Sequence, residues 1–154
     1  MKAKLIVLAA ALWFAGAAAA FAQAPQMGTW KLNETKSTIP AGVQKNSTVI
    51  YEVSGDSIKV TTDGTTGDGQ PMHTDWTGKF DGKPYPLTGD PTADSRSYKL
   101  VNDHHLSLTN LREGKVTTSG NIVVSPDGKT RTLTMSTLDP AGKKISGKAI
   151  YAKQ

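Results

Sequence analysis

The chain contains 154 residues, a length typical of one domain. Hydrophobic residues make up 37% and charged residues 20%, which excludes a disordered polyelectrolyte and a protein with many membrane spans. Cysteine is absent, so disulfide frameworks, cysteine-ligated zinc and thiol catalysis are excluded. The formal net charge of +5 is modest and there is no arginine-rich run, so we expect no nucleic-acid partner.

The first 22 residues predict a cleaved secretory signal peptide. Lys2 and Lys4 form a basic start, an apolar run extends from Leu5 to Phe21, and Ala20-Phe21-Ala22 is typical of a signal-peptidase site. A retained membrane anchor is the alternative, but 17 residues rich in alanine are marginal for crossing a bilayer. Cleavage after Ala22 would remove two lysines, lower the net charge from +5 to +3, and leave residues 23–154 as one domain. We expect a bacterial periplasmic or secreted protein.

Beyond Ala22, apolar and polar residues alternate along short runs, which predicts β-strands rather than helices. In one run Met72, Thr74 and Trp76 share a face, with His73 and Asp75 on the other. An apolar face opposite a wet face is typical of antiparallel sheet. The residues predicted to face inward are Val49, Tyr51, Val53, Ile58, Val60, Met72, Thr74, Trp76, Gly78, Phe80, Tyr98, Leu100, Leu106, Leu108, Val116, Thr118, Gly120, Ile122, Val124, Leu133, Met135, Ile145, Gly147, Ala149 and Tyr151.

Turn residues separate these runs. Glycine or proline occurs in each separator, at Gly55-Asp56, Asp81-Gly82, Glu113-Gly114, Asp127-Gly128 and Pro140-Ala141-Gly142. About ten strands at this spacing predict an all-β domain, an antiparallel up-and-down meander closed into a barrel, because closure removes exposed edges. A two-sheet sandwich is the alternative. The 13 residues from Asn33 to Lys45 lack alternation and predict a short helix or a lid.

The sequence contains only weak signals for a metal site or a catalytic site. The Asp63–Gly69 loop lacks the ligand spacing of a calcium loop, and His104 and His105 would point to opposite faces of a strand. His73 and Asp75 share a polar face and could pair, although that geometry favours a solvated surface. No Gly-x-Ser-x-Gly, His-Glu-x-x-His or phosphate-loop motif is present. We therefore expect no metal, no cofactor and no enzymatic activity.

Three arginines, Arg96, Arg112 and Arg131, lie two or four positions from apolar residues of the same predicted strand. Residues an even number of positions apart on a strand share a face, and this parity predicts that the three arginines point inward. A buried arginine needs a carboxylate, an aromatic face or an anionic ligand. The alternative is that each lies at a strand end and reaches solvent, which the turns beside Arg112 and Arg131 allow.

A ten-strand count assigns these arginines to opposite ends of the barrel. Arg131 begins the ninth predicted strand, at the end where the first strand and Trp30 begin, so we expect it to stack on Trp30. Arg96 and Arg112 lie at the other end, where they would face a ligand. The candidate ligand-binding residues are Arg96, Arg112, Trp76, Tyr98 and Leu108.

The segment Gly28-Thr29-Trp30-Lys31-Leu32 resembles the Gly-x-Trp opening of the calycins, and of fatty-acid-binding proteins in particular. The length, the meander and the closing Ile150-Tyr151-Ala152-Lys153 are also similar to that family, and the overall pattern is similar to small exported bacterial lipocalin-like proteins. This resemblance implies a cavity for a small ligand. It also implies a basic residue against Trp30, so Gly28, Trp30 and Arg131 form the expected structural signature.

Two features depart from the family pattern. Ala149 stands where fatty-acid-binding proteins carry an arginine that binds the ligand carboxylate, and the connection from Asn33 to Lys45 is short for their two-helix lid. Carboxylate binding in the family's usual manner is therefore not implied.

Two functions from different classes remain open. The favoured hypothesis is a monomeric exported barrel that binds a small apolar or amphipathic ligand, including one with an acidic head, without catalysis. The alternative is a protein-interaction module, such as a periplasmic inhibitor or an envelope-stress factor, with a packed barrel. A cavity lined by Trp76, Tyr98 and Arg112 would favour the first function, and large exposed apolar loops would favour the second.

Overall fold

The computed structural model describes residues 24–154. The ten strands are β1 (Gly28–Leu32), β2 (Lys45–Ser54), β3 (Ser57–Thr65), β4 (Pro71–Gly78), β5 (Tyr85–Thr88), β6 (Ser95–Asn102), β7 (His105–Arg112), β8 (Lys115–Val124), β9 (Thr130–Leu138) and β10 (Lys144–Lys153). Short 3₁₀ helices span Ala24–Gln26 and Glu34–Lys36. Within residues 24–154, no helix has the length and apolar character needed to cross a membrane. The predicted signal peptide and its cleavage site lie outside the described residues.

The strands form one closed antiparallel barrel in meander order, in which each strand pairs with its neighbours in sequence. The barrel closes at β1, where Trp30 lies opposite Lys153 of β10 on one side and opposite Val49 of β2 on the other. The predicted all-β, ten-strand meander is therefore confirmed, and the sandwich alternative is wrong. Closure satisfies the backbone groups that a sheet edge would expose.

Strand direction defines two ends of the barrel. The Trp30 end contains the starts of β1 and β9, and the Arg96 end contains the start of β6 and the end of β7. Arg131 lies at the Trp30 end, whereas Arg96 and Arg112 lie at the Arg96 end, as the strand count predicts. Of the residues predicted to face inward, Val53 and Val116 are 65% and 56% exposed, because both lie near strand ends.

Aromatic rings pack the half of the barrel nearer the Trp30 end. The Trp76 ring centroid lies 4.9 Å from that of Tyr98, 5.8 Å from Tyr85 and 6.4 Å from Phe80. The Trp76 indole N–H donates a 2.8 Å hydrogen bond to the carbonyl oxygen of Arg96. Gly78 permits this packing, since a Cβ there would lie 2.5 Å from Cγ of Tyr85. These rings therefore pack against one another in this half of the interior.

Trp30 closes its end of the barrel through partners that the sequence did not indicate. Its indole N–H donates a 2.9 Å hydrogen bond to the carbonyl oxygen of Gln26, in the first 3₁₀ helix. The Lys153 Nζ lies 5.3 Å from the centroid of the Trp30 ring. The expected stacking of Arg131 on Trp30 is therefore wrong. Lys153 takes that place because it is the direct ladder partner of Trp30.

The connection from Asn33 to Lys45 contains the predicted short helix, Glu34–Lys36, whose last backbone N–H donates a 3.2 Å hydrogen bond to the Asn33 side chain. Thr38 then forms an isolated bridge to Lys148 of β10. This bridge holds the following segment, residues 39–44, at the Arg96 end, where it lines the cavity described below.

Candidate functional site

A cavity of about 90 Å³ occupies the interior of the barrel at the Arg96 end. Its wall is partly apolar, with Leu108, Leu133, Met135 and Ala149 contributed by β7, β9 and β10. Arg96 and Asn110 are the buried polar residues of that wall. The rim is formed by loop residues, among them Gly42, Gly67 and Pro91. The arrangement combines an apolar wall with a buried cation.

A second cavity of about 20 Å³ lies deeper in the barrel. This volume is close to the room that one water molecule needs. Both cavities share the lining residues Asn46, Arg96, Leu108, Leu133 and Tyr151, and the deeper one is also lined by Tyr98 and Arg131. A ligand entering from the Arg96 end would therefore approach both arginines.

Arg131 is 3% exposed and has no ion-pair partner among the described residues. Its Cζ lies 5.1 Å from the ring centroids of both Tyr51 and Tyr151. Its Nη2 donates a 2.6 Å hydrogen bond to the Tyr51 hydroxyl, whereas Nε and Nη1 have no hydrogen-bond partner in the described part of the chain. A buried donor without a hydrogen-bond partner lowers the free energy of unfolding by about 1–3 kcal/mol, and by more if the group is charged. Arg131 therefore presents unused donors to the inner cavity.

Arg96 is also buried, with 5% exposure, but its guanidinium has several partners. Nε donates a 2.7 Å hydrogen bond to the Asn110 side chain, and Nη1 donates a 3.3 Å hydrogen bond to the Tyr98 hydroxyl. Nη2 lies 3.9 Å from the Asp90 carboxylate. Arg96 is thus largely satisfied, and the two buried arginines differ in how well the protein compensates their charge.

Two tyrosine hydroxyls connect these arginines. The Tyr51 hydroxyl donates a 3.4 Å hydrogen bond to that of Tyr98, so the order is Arg131, Tyr51, Tyr98 and Arg96. Burial raises the pKa of the Tyr51 hydroxyl far above its ordinary value, although Arg131 opposes that rise. Burial likewise raises the pKa of Tyr151. The Tyr51 and Tyr151 hydroxyls are therefore neutral near pH 7, so neither supplies a negative charge to Arg131.

The rim joins loops from three parts of the chain. The Gln44 amide Nε2 donates a 3.1 Å hydrogen bond to Asp90, which ties the segment before β2 to the β5–β6 loop. A Cβ at Gly67 would lie 2.0 Å from the carbonyl oxygen of Gly42, so these two loops touch. A shallow depression of about 450 Å³ borders the same rim, and its lining includes Gly42, Gly67 and Pro91.

The structure places three of the five candidate ligand-binding residues at this site. Arg96 and Leu108 line both cavities, and Tyr98 lines the inner one. Trp76 lines neither cavity, because it packs within the aromatic half of the interior.

The expectation that Arg112 faces the ligand is wrong. Arg112 is exposed, and its Nη1 donates a 2.9 Å hydrogen bond to the carbonyl oxygen of Pro91. The reason is the register of the neighbouring strand: β6 begins at Ser95, opposite Leu111, so no residue of β6 lies beside Arg112. Arg112 therefore reaches solvent past the end of the paired strands. This agrees with the alternative prediction that an arginine at a strand end points to solvent.

Several residues of the site were assigned no role from the sequence. Tyr51 and Tyr151 have inward parity, and this alternation is the signal that could have found them. Asp90 is 7% exposed although it lies between Gly89 and Pro91, a pattern typical of an exposed turn. No local sequence pattern predicts its burial.

Outside the barrel interior, His73 links two neighbouring strands on the outer surface. Its Nδ1 lies 2.6 Å from an Asp63 oxygen and its Nε2 lies 3.2 Å from an Asp75 oxygen. The pairing of His73 with Asp75 that the sequence allowed is therefore present. His104 and His105 contact different partners, the Val124 carbonyl oxygen and the Asn121 side chain. No group of three or more metal-ligating side chains occurs within residues 24–154.

The sequence matches no protein-family model and no curated protein. Among solved structures, a redesigned β-barrel, mFAP1, bound to DFHBI aligns over 86% of this chain and 99% of that chain. The sequence identity is 15% and the TM-score is 0.49. This comparison assigns neither a family nor a ligand to the chain.

Proposed function

We propose that the barrel binds a small amphipathic acid, with the acidic head between Arg96 and Arg131 and the apolar body towards the Arg96 end. The observation that carries this proposal is Arg131: a guanidinium 3% exposed, with two nitrogen atoms lacking partners beside a cavity. An anionic head would supply the acceptors that these N–H groups lack. A carboxylate is the natural partner of a guanidinium because it accepts two parallel hydrogen bonds.

The size and lining of the cavity restrict the ligand further. Its volume of about 90 Å³ is smaller than the ~150 Å³ engineered cavity that holds benzene. The cavity therefore has room for a few carbon atoms against Leu108, Leu133 and Met135. An oxygen of the acidic head would enter the inner cavity beside Arg131, which has room for about one water molecule. The rest of a longer ligand would lie in the depression at the rim, once the contact between Gly42 and Gly67 parts.

The proposal includes binding without catalysis, in the periplasm or outside the cell. Residues 2–22 support export, since their order of basic, apolar and small residues is that of a signal peptide. A ligand extracted from protein purified from its own compartment should be chemically unchanged after incubation, which mass spectrometry measures. Conversion of the bound molecule would overturn this part of the proposal.

The alternative function, an interaction module with a packed barrel, has less support. The large apolar residues that are exposed within residues 24–154 lie on strands rather than in loops, and they are Val53, Val101, Val116, Val123 and Leu138. Single exposed valines are ordinary on a protein surface.

The test compares hexanoate with hexan-1-ol, which differ in charge but carry similar apolar chains. Affinities are measured by calorimetry for the wild-type protein, for Arg131→Met and for Arg112→Leu. We expect Arg131→Met to weaken hexanoate binding at least about tenfold, because a charge-assisted hydrogen bond contributes about 1.5–3 kcal/mol. Hexan-1-ol binding should change little.

Arg112→Leu is the matched control, because it also removes one positive charge, but from an exposed side chain outside the cavities. It should leave hexanoate affinity within about twofold of wild type, as expected for a screened surface charge. Absence of hexanoate binding below millimolar concentration, or equal losses for acid and alcohol in Arg131→Met, would overturn the proposal.

A further inference from the structure

Asp90 is a buried carboxylate inside the rim of the proposed site. Its side chain is 0% exposed and accepts 2.8 Å hydrogen bonds from the backbone N–H and the hydroxyl of Thr92. The Gln44 amide donates a further hydrogen bond to it, and Nη2 of Arg96 lies 3.9 Å away. Every described partner is a donor or a cation, which is the environment of an ionised carboxylate.

The buried charges of the interior do not balance. The charged residues buried within residues 24–154 are Asp90, Arg96 and Arg131. Arginine remains protonated in proteins, and tyrosine is uncharged near neutral pH. Asp90 therefore offsets Arg96, while Arg131 has no carboxylate partner. The interior carries one uncompensated positive charge.

We infer that Asp90 sets the charge selectivity of the site, which admits acids with one negative charge and disfavours acids with two. This inference rests on the proposed function and specifies its ligand class. A singly charged head balances Arg131 and leaves the buried region neutral. A doubly charged head of similar size would leave an excess negative charge next to Asp90, in a region where unbalanced charge is costly.

Asp90 acts on the ligand through its buried charge and through Arg96, without lining the cavity itself. Its carboxylate lies 3.9 Å from Nη2 of Arg96, and Arg96 lines the cavity whereas Asp90 does not. Asp90→Asn keeps the shape and one acceptor oxygen for Thr92 but removes the charge. The interior would then hold two uncompensated cations and would favour a doubly charged head.

The test uses hexanoate and butylmalonate. Butylmalonate is hexanoate with a second carboxylate on C2, the carbon that bears the first carboxylate. At slightly alkaline pH, wild-type protein should bind hexanoate more tightly than butylmalonate. Asp90→Asn should shift the ratio of the two affinities towards butylmalonate by at least about tenfold. Asp94→Asn is the matched control, since Asp94 lies in the same loop, is exposed, and bonds the backbone N–H of Glu113 rather than Arg96. It should leave the ratio unchanged.

A measurement on wild-type protein covers the case in which Asp90→Asn does not fold. Lowering the pH until butylmalonate carries a single charge should strengthen its binding at least about tenfold, while hexanoate shows no such gain. If the wild type binds neither acid, the proposed function fails. If it binds hexanoate but neither the mutation nor protonation of butylmalonate changes the ratio, this inference fails and the proposed function stands.

Discussion

Arg131 contacts Tyr51 in two ways, since its Nη2 donates a 2.6 Å hydrogen bond to the hydroxyl and its Cζ lies 5.1 Å from the ring centroid. The Tyr51 hydroxyl is the one hydrogen-bond acceptor of this guanidinium among the described residues. The hydrogen bonding of the buried arginine within the described residues therefore depends on a single neutral group. The energetic cost of mutating Tyr51 should therefore depend on whether Arg131 is present.

Tyr51→Phe should lower the free energy of unfolding by about 1–3 kcal/mol, because it leaves Arg131 without any acceptor. In an Arg131→Met background the same mutation should cost less, since no charge remains to be satisfied. Urea denaturation of the two single mutants and the double mutant gives the coupling energy. Additive effects would show that the hydrogen bond does not contribute.

Tyr85→Phe is the control for this cycle. The Tyr85 hydroxyl donates a 2.8 Å hydrogen bond to Asp81, which is exposed. Its removal should change the free energy of unfolding by no more than about 0.5 kcal/mol, as for surface substitutions in general.

Arg131→Met alone should leave the free energy of unfolding unchanged or raise it. Replacing a buried ion pair by apolar side chains of similar volume is often neutral or stabilising, by up to about 4 kcal/mol, and Arg131 has no carboxylate partner among the described residues that its removal would leave unpaired. An increase in stability combined with a loss of hexanoate binding would indicate that Arg131 is present for function. Strong destabilisation would indicate a structural role instead.

Trp30→Ala should destabilise the barrel by about 3–5 kcal/mol, because it removes a fully buried ring at the Trp30 end. Lys153→Met should cost no more than about 1 kcal/mol, the contribution of an exposed cation–π contact. Thermal unfolding or urea denaturation measures both. A loss for Lys153→Met as large as that for Trp30→Ala would contradict a surface contact between Lys153 and the Trp30 ring.

The pH dependence of stability should contain a contribution from His73. Its hydrogen bond to Asp63 raises the pKa of His73 above the ordinary value near 6.5, and Asp75 acts in the same direction. Because the folded-state pKa is the higher one, the stabilisation is fully present below the unfolded pKa and is lost as the pH rises through the folded pKa. Nuclear magnetic resonance titration of the imidazole should show the raised pKa, and Asp63→Asn should lower it towards the ordinary value. An unchanged pKa in Asp63→Asn would contradict the pairing.

Gly67→Ala should separate the two rim loops, because its Cβ would lie 2.0 Å from the carbonyl oxygen of Gly42. Amide hydrogen exchange of residues 42–44 should become faster. Gly69→Ala is the control in the same loop: its Cβ would meet nothing within 4 Å, although its φ of +85° adds local strain. Equal acceleration in both variants would show that the contact does not hold the rim.

Processing of the chain gives a separate prediction. If residues 1–22 are a signal peptide, the exported protein should have an intact mass that corresponds to a chain beginning at Gln23. Recovery of full-length protein from a membrane fraction would instead indicate a retained anchor.

The sequence by itself determined the architecture of this protein. Alternation of apolar and polar residues, with turn residues between the runs, predicted the ten-strand meander, and parity predicted that Arg96 and Arg131 point inward. These features follow from local chemistry, because side chains on a strand alternate between two faces whatever the rest of the chain does.

Only the tertiary structure decided how the inward residues combine. Arg131 lies between Tyr51 and Tyr151 rather than against Trp30, and Arg112 reaches solvent because β6 begins one residue too late to cover it. Burial of Asp90 requires Gln44 and Arg96, which are 46 residues before it and six after it in the sequence. Such contacts depend on the register of paired strands and on loop positions around the closed barrel. Parity determines the face on which a side chain lies, but only closure of the barrel determines which side chains meet there.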